Sequence, residues 1–155
     1  MSLTERLDTR LLVCRLRADS RDQLLAELAR RFALVEPSVS EAQVLDTLKA
    51  RECQGSTATP EGVAFPHAIR SDISRQVIGV VTLSTPVEFP CTAGPVGVRL
   101  VLVMFGSTDR PMEHIQTLAR LARLAADPDR RERLLQAADE AQLLAALEDE
   151  GQRHG

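Results

Sequence analysis

The sequence is poor in aromatic residues: it has four phenylalanines and no tyrosine or tryptophan among 155 residues. Proteins that bind single-stranded nucleic acid stack bases on aromatic side chains, and binding to a duplex depends on clustered lysine and arginine. Here 22 acidic residues outnumber 19 basic ones, which gives a net charge of -3. The composition therefore predicts no nucleic-acid partner.

Long hydrophobic runs are also missing. The longest, Val77–Leu83 and Leu100–Phe105, fall far short of the roughly 20 residues that a membrane-spanning helix requires. The N-terminal sequence MSLTERLDTR lacks the apolar core of a signal peptide. We therefore expect a cytoplasmic protein with no membrane insertion. Met1–Leu3 has the form of a cloning remnant, and the tail at 151–155 is expected to be frayed.

The chain has only three cysteines, Cys14, Cys53 and Cys91, which are far apart and form no Cys-x-x-Cys pair. This spacing suggests neither a zinc site nor a disulfide framework, and we expect buried or idle thiols. The sequence also lacks GxSxG, HExxH and the glycine-rich loops that bind nucleotide phosphates. We therefore predict no cofactor and no metal site.

What the sequence does contain is an alternation of strand and helix patterns, with no internal repeat or linker. Such interleaving predicts one domain, residues 1–155, of the α/β (α+β) class, with helices on both faces of a mixed β-sheet. Residues 54–62 form a small, polar loop, and residues 85–98 contain three prolines and cannot form a regular helix. Strands are predicted at 11–16, 63–65, 77–83 and 98–105, and helices at 21–34, 38–52, 111–126, 129–138 and 139–149.

His67 directly follows a short apolar run, VAF, that ends at Pro66. Strand ends and the loops after them are where α/β proteins hold reactive groups, and the proline fixes one backbone dihedral angle just before the histidine. A lone histidine is more often structural, which is what we expect of His154 in the polar tail. The placement of His67 instead favours a nucleophile held in one orientation.

Two further residues can join it. His114 lies in the first turn of the clearest amphipathic helix, at the edge of its packing face, and Arg51 ends the helix that leads into the loop before His67. A neutral imidazole is a good nucleophile that can carry a covalent group, and a second imidazole or a guanidinium stabilises incoming negative charge. The set suits phosphoryl transfer from another phosphoprotein to a histidine, with no bound nucleotide.

The segment Arg51–Arg70, RECQGSTATPEGVAFPHAIR, resembles the active-site segment of the enzyme IIA domains of the bacterial phosphotransferase system, in the fructose, mannitol and nitrogen-regulatory branch. Arg51–Glu52, Thr57 and the run GVAFPH match its pattern. A second motif, His114–Leu121 (HIQTLARL), is similar to the histidine-containing helix of that family. Two motifs in the correct order make a chance match improbable, and the order of predicted elements extends the resemblance over nearly the whole chain.

The resemblance implies that His67 is the phosphorylated residue, that His114 sits beside it and that Arg51 helps to hold the phosphoryl group. It implies a donor like the histidine phosphocarrier HPr. The acceptor would be an enzyme IIB domain. In the regulatory branch there would be no transport partner, and the protein would instead act on a regulated partner protein. The chain departs from the pattern at Ala58 and Pro60, where the family has glycines, so we expect its loop to hold the phosphoryl group differently or more weakly.

The roles of three residues in this segment stay open. Arg51 is either functional or a solvated cation at a helix end, and Glu52 is expected to be an ordinary exposed carboxylate. Thr57 either donates to the phosphoryl group or only caps the loop. Docking of a partner also predicts an apolar surface beside His67, because water must be excluded there.

Three functions remain in competition. The first is a carrier that passes a phosphoryl group from phospho-HPr to a IIB domain in sugar uptake. The second is a stand-alone nitrogen-type regulatory protein, in which phosphorylation of His67 controls binding to partner proteins. The third is a metal-dependent hydrolase that uses His67 and His114. It lacks a convincing third ligand, because Asp109 and Glu113 show no recognisable spacing.

Overall fold

The computed structural model describes residues 3–153, and the side chains of residues 3–148. A short 3-10 turn at Leu3–Arg6 comes first. The regular elements that follow in this part of the chain are β1 (Leu7–Leu16), α1 (Arg21–Val35), α2 (Glu41–Gln54), β2 (Val63–Ala64), β3 (His67–Arg70), β4 (Val77–Phe89), β5 (Val96–Ser107), α3 (Pro111–Ala126), α4 (Pro128–Gln136) and α5 (Glu140–Arg153). No helix within 3–153 is both long enough and apolar enough to cross a bilayer.

The strands form one mixed sheet. Its centre is the antiparallel pair β4 and β5, which are joined by the turn at residues 90–95. β1 lies parallel to β4 on one side, and β2 and β3 both lie parallel to β5 on the other. The predicted mixed sheet is confirmed, and β2 and β3 together occupy one edge of it.

Helices cover both faces of this sheet, as predicted. On β5, Val101, Val103 and Phe105 pack with α1 and α2, and Phe105 stacks on Phe32 of α1 with ring centroids 4.0 Å apart. The alternate residues of β5, which are Leu100, Leu102 and Met104, pack with α3, α4 and α5. Since neighbouring residues of a strand point to opposite faces, a continuous apolar run such as LVLVMF at 100–105 indicates a strand buried on both sides.

Side-chain caps fix the beginnings of several helices. Ser20 accepts a hydrogen bond from the Gln23 N–H at the start of α1, and Ser40 accepts one from the Gln43 N–H at the start of α2. Asp139 caps α5 through the Gln142 N–H. These caps satisfy N–H groups that have no partner inside the helix.

Several strands are longer than the sequence predicted. β1 begins at Leu7 rather than residue 11, and β4 continues past residue 83 to Phe89. β4 tolerates Pro86 because the pairing of β4 with β5 is irregular between Thr82 and Val87, where no ladder hydrogen bond depends on a proline N–H.

The predictions about the two ends of the chain stay predictions. Leu3 is only 2% exposed and packs in the core on the side of α3 and α5. Helix α5 continues to Arg153, past the predicted start of the frayed tail at residue 151. The rest of both predictions, at residues 1–2 and 154–155, lies outside the part that the structure describes.

Candidate functional site

His67 does not follow the end of a strand, as the sequence suggested, but opens a second one. Pro66 has no N–H and so interrupts the edge strand between β2 and β3, and the predicted strand at 63–65 is the two-residue β2. The Pro66 carbonyl accepts a hydrogen bond of 3.1 Å from the Met104 N–H, and His67 is paired with Met104 in the parallel register of β3 with β5. The backbone of the histidine is therefore held on both sides of the proline.

The hydrogen bonds of the His67 ring define its tautomer. Nδ1 lies 2.9 Å from the Phe65 carbonyl oxygen, which can only accept, so Nδ1 carries the proton. Nε2 lies 3.2 Å from Nε of Arg51, which can only donate, so Nε2 presents its lone pair. The neutral ring thus offers Nε2 as the nucleophilic atom.

The surroundings of His67 keep this ring neutral. Burial lowers the pKa of His67 below the ordinary value, and the charge interactions with Arg51 and His114 lower it further. The hydrogen bond to the Phe65 carbonyl and the negative charge of Glu52 act in the opposite direction and are outweighed. A neutral imidazole is the form that can attack phosphorus.

Arg51 lies in the last turn of α2, and its guanidinium reaches the edge of the His67 ring at Nε2. Its Nε donates to His67, and its Nη1 donates to the Gly55 carbonyl at 2.7 Å, just beyond the end of the helix. Two hydrogen bonds in different directions hold the planar guanidinium in place. The structure therefore brings Arg51 and His67 together, as the resemblance implied.

The structure also places His114 on the same face of the sheet as His67. His114 packs on Gly106, which lies on β5 two residues after Met104, the partner of His67. Residues two apart on a strand share one face of the sheet, so both histidines stand on the same face, at the edge. The His114 Nε2–H donates to the Ser107 carbonyl at 2.6 Å, and Nδ1 is buried without a hydrogen-bond partner in the described structure.

The loop before β2 is organised around a buried carboxylate. Glu52 is 3% exposed, which contradicts the expectation of an exposed side chain at a helix end. Its two oxygens accept hydrogen bonds from the Thr57 hydroxyl and from the Thr57 N–H. The Thr57 hydroxyl in turn accepts the Phe65 N–H at 3.2 Å. Thr57 therefore caps the loop, because its hydroxyl is engaged inside it.

Ala58 and Pro60 fit this loop without strain. Of the residues at 54–62, only Gly55 and Gly62 have positive φ, at 154° and 85°, so the backbone at Ala58 and Pro60 demands no glycine. Gly62 is required for a second reason, because a Cβ there would lie 2.9 Å from the Gly97 carbonyl oxygen. Both replacements are thus compatible with the loop, whose shape is set by Gly55, Gly62 and the Glu52–Thr57 pair.

The residues weighed for a metal site are not gathered into one. Glu113 forms ion pairs with Arg6 at 2.7 Å and with Arg110 at 3.7 Å. Among the described residues, no three His, Cys, Asp or Glu side chains are arranged to hold a metal ion. The three cysteines are free thiols, and Cys53 is exposed rather than buried. His154 lies outside the described residues.

Sequence reasoning missed two components of the site. The first is the Phe65 carbonyl, which sets the tautomer of His67 and leaves no signal in the sequence because every residue has a carbonyl group. The second is Gly106, where an ideal Cβ would lie 2.8 Å from Nδ1 of His114. A glycine at the end of an apolar strand is a detectable signal of such a close approach.

Comparison with known proteins gives this geometry its context. Residues 5–150 match the family described as "Phosphoenolpyruvate-dependent sugar phosphotransferase system, EIIA 2". The chain is 32% identical over 152 residues to the "PTS system 2-O-alpha-mannosyl-D-glycerate-specific EIIABC component" of Escherichia coli (strain K12). That match covers 97% of this chain but only 23% of the length of that relative.

Two nitrogen regulatory proteins are similar over nearly their full length. The "Nitrogen regulatory protein" of Bradyrhizobium diazoefficiens is 29% identical over 147 residues, which cover 95% of each chain. The crystal structure of nitrogen regulatory protein IIA-Ntr from Neisseria meningitidis superposes with a TM-score of 0.85 at 27% identity, covering 92% of this chain and 97% of that one. The family match, these relatives and the shared fold agree, and the chain belongs to the EIIA type 2 family of the phosphoenolpyruvate-dependent sugar phosphotransferase system.

Proposed function

We propose that this protein is a phosphohistidine carrier that accepts a phosphoryl group on Nε2 of His67 from an HPr-like phosphocarrier protein and passes it to a IIB domain. One observation carries the proposal. The His67 ring is fixed with its proton on Nδ1 and its Nε2 lone pair directed at the Arg51 guanidinium. Membership of the EIIA family supports the role of a phosphoryl carrier.

The transfer step balances without a cofactor. The Nε2 lone pair of His67 forms a bond to phosphorus, while the nitrogen–phosphorus bond of the donor phosphohistidine breaks and its electron pair returns to the donor nitrogen. The His67 ring gains positive charge as the new bond forms. Its Nδ1–H then becomes a stronger donor to the Phe65 carbonyl, so this hydrogen bond strengthens in the transition state.

The negative charge of the phosphoryl oxygens is met by the guanidinium of Arg51. The Arg51 Nε occupies the place in front of Nε2 that phosphorus must enter, so the guanidinium moves its hydrogen bond to a phosphoryl oxygen when the group arrives. His114 has its Nε2 committed to the Ser107 carbonyl, and its Nδ1 is buried against Gly106.

The surface next to the site suits a protein donor. Met112 and Ile115 flank His114 in the sequence at the start of α3, and they are 62% and 61% exposed. Large apolar side chains beside a reactive group favour docking of a partner that excludes water. Their position supports the apolar surface expected from the sequence.

Two roles for the phosphorylated protein compete, and the relatives support both. The Escherichia coli relative is by its name an EIIABC component, specific for 2-O-alpha-mannosyl-D-glycerate, which supports a IIB domain as the acceptor in sugar uptake. The nitrogen regulatory relatives match at nearly full length. They support a second candidate function, in which the phosphorylation state of His67 controls binding to partner proteins.

The first experiment is phosphorylation with purified components. The protein is incubated with phosphoenolpyruvate, enzyme I and HPr, and its intact mass is measured beside that of His67→Ala. We expect one acid-labile phosphoryl group on the wild type and none on the variant. Equal incorporation by His67→Ala would refute the assignment of the nucleophile.

A chase experiment then distinguishes the two roles. The phosphorylated protein is mixed with a purified IIB domain, and loss of its phosphoryl group is followed over time. Rapid transfer supports the role in sugar uptake. Retention of the phosphoryl group, together with partner binding that depends on phosphorylation, supports the regulatory role.

A further inference from the structure

A continuous chain of hydrogen bonds connects a buried carboxylate to the His67 ring. Glu52 accepts from the N–H and the hydroxyl of Thr57, the Thr57 hydroxyl accepts from the Phe65 N–H, and the Phe65 carbonyl accepts from Nδ1 of His67. Glu52, Thr57 and Phe65 are all buried. The chain runs from the end of α2 through the loop to the first residue of β3.

Each hydrogen bond in this series restricts the orientation of the next group along it. The carboxylate can only accept, so the Thr57 hydroxyl must give its proton to Glu52 and keep its lone pairs for the Phe65 N–H. That bond holds Phe65 in place from its N–H side, while the Pro66 carbonyl is held from the other side by the Met104 N–H. The Phe65 carbonyl is left pointing at Nδ1, and it accepts only if Nδ1 carries the proton.

We infer that Glu52 and Thr57 are positioning residues for phosphoryl transfer, which hold His67 through the Phe65 carbonyl in the tautomer that exposes the Nε2 lone pair. The inference rests on the proposed function and names two residues that act on its nucleophile. Neither touches the phosphoryl group, because both are occupied within the loop.

A purely structural role explains this arrangement less well. A loop of this size can be stabilised by apolar packing, and burying a carboxylate costs free energy unless it is fully hydrogen-bonded. Glu52 also lies close enough to oppose the lowering of the His67 pKa. Its negative charge therefore favours the positive charge that builds on the ring as Nε2 attacks, which an apolar substitute would not do.

The test removes the hydroxyl of Thr57 and keeps its shape. Thr57→Val leaves the Phe65 N–H without its acceptor, Thr57→Ser restores one, and Thr59→Val is the matched control. Thr59 lies in the same loop, and its side chain acts on the exposed Glu61 carboxylate rather than on Phe65. The first readout is the 15N chemical shifts of His67, which report the tautomer. The second is the rate of phosphoryl uptake from phospho-HPr.

We expect Thr57→Val to populate the tautomer with the proton on Nε2 and to slow phosphoryl uptake by about tenfold, as for other residues that orient a reactive side chain. Thr57→Ser and Thr59→Val should resemble the wild type in both readouts. A folded Thr57→Val protein with unchanged 15N shifts and an unchanged rate would overturn the inference.

If Thr57→Val does not fold, Glu52→Gln tests the same positioning role. The amide has one acceptor oxygen for two Thr57 donors, so the loop should loosen and shift the tautomer and rate in the same direction. Wild-type behaviour of Glu52→Gln would then overturn the inference. The 15N readout needs no phosphoryl donor, so a protein that takes up no phosphoryl group would refute the proposed function and still test the positioning role.

Discussion

Gly106 lies under the His114 ring, and the substitution Gly106→Ala measures how far the site depends on that contact. An ideal Cβ at this position would stand 2.8 Å from Nδ1 of His114 and closer still to Cε1. Ordinary non-bonded contacts are about 3.5–4.0 Å, so the ring must move by roughly 1 Å. We expect overpacking to cost about 1–3 kcal/mol of unfolding free energy, including part of the His114–Ser107 hydrogen bond.

The effect on phosphoryl uptake follows from the same displacement. Misplacing a catalytic group by about 1 Å can lower the rate on the order of 100-fold. Because His114 is a supporting group, we expect the rate of phosphoryl uptake to fall by roughly 10- to 100-fold. The assay compares initial rates of uptake from phospho-HPr, with urea unfolding in parallel. Gly97→Ala is the matched control on the same strand, because its Cβ would meet only Pro86, at 3.3 Å.

A double-mutant cycle attributes the loss to its cause. In His114→Ala the ring is absent, so adding Gly106→Ala should cost almost nothing further, and the two changes should be coupled by about 1–3 kcal/mol. Strict additivity of the two substitutions would refute the claim that they act through one contact. Uptake by Gly106→Ala at the wild-type rate would refute the role of His114 at the site.

Two further predictions concern charge at His67. Arg51→Gln should slow phosphoryl uptake by about 10- to 100-fold, and Arg51→Lys should fall between it and the wild type because it keeps the charge but not the fork of donors; equal rates for all three would contradict the role of Arg51. Burial lowers the pKa of His67, so the unfolded chain binds this proton more tightly than the folded one. The urea concentration at the midpoint of unfolding should therefore fall as the pH drops below about 6.5. Above that pH, His67 should not change it. If the urea midpoint fell with pH as steeply in His67→Gln as in the wild type, this prediction would be contradicted.

The sequence predicts the layers of the fold well because its core patterns are strong. The run LVLVMF at 100–105 is apolar on both sides of a strand, and it forms the middle of β5 at the centre of the sheet with helices on both faces. The boundaries of β4 were harder to predict, since Pro86 argues against a strand until the irregular pairing near Val87 is known. Propensity is local, whereas that irregularity depends on the partner strand.

Within the site, residue types were easier to predict than their environments. The motifs around His67, His114 and Arg51 point to residues that the structure brings together. The burial of Glu52 was not predictable from its position at a helix end, because it depends on a loop that folds back so that Thr57 can donate two hydrogen bonds. Long-range hydrogen bonds of this kind, and the carbonyl of Phe65, leave no pattern in composition or periodicity.

The account stands on the claim that Nε2 of His67 is the atom that carries the phosphoryl group. The direct test is NMR of the phosphorylated protein labelled with 15N-histidine, in which a one-bond coupling between 31P and 15N identifies the phosphorylated nitrogen. We predict coupling to Nε2 of His67, with the proton retained on Nδ1. Coupling to Nδ1 of His67 or to a nitrogen of His114 would contradict the account.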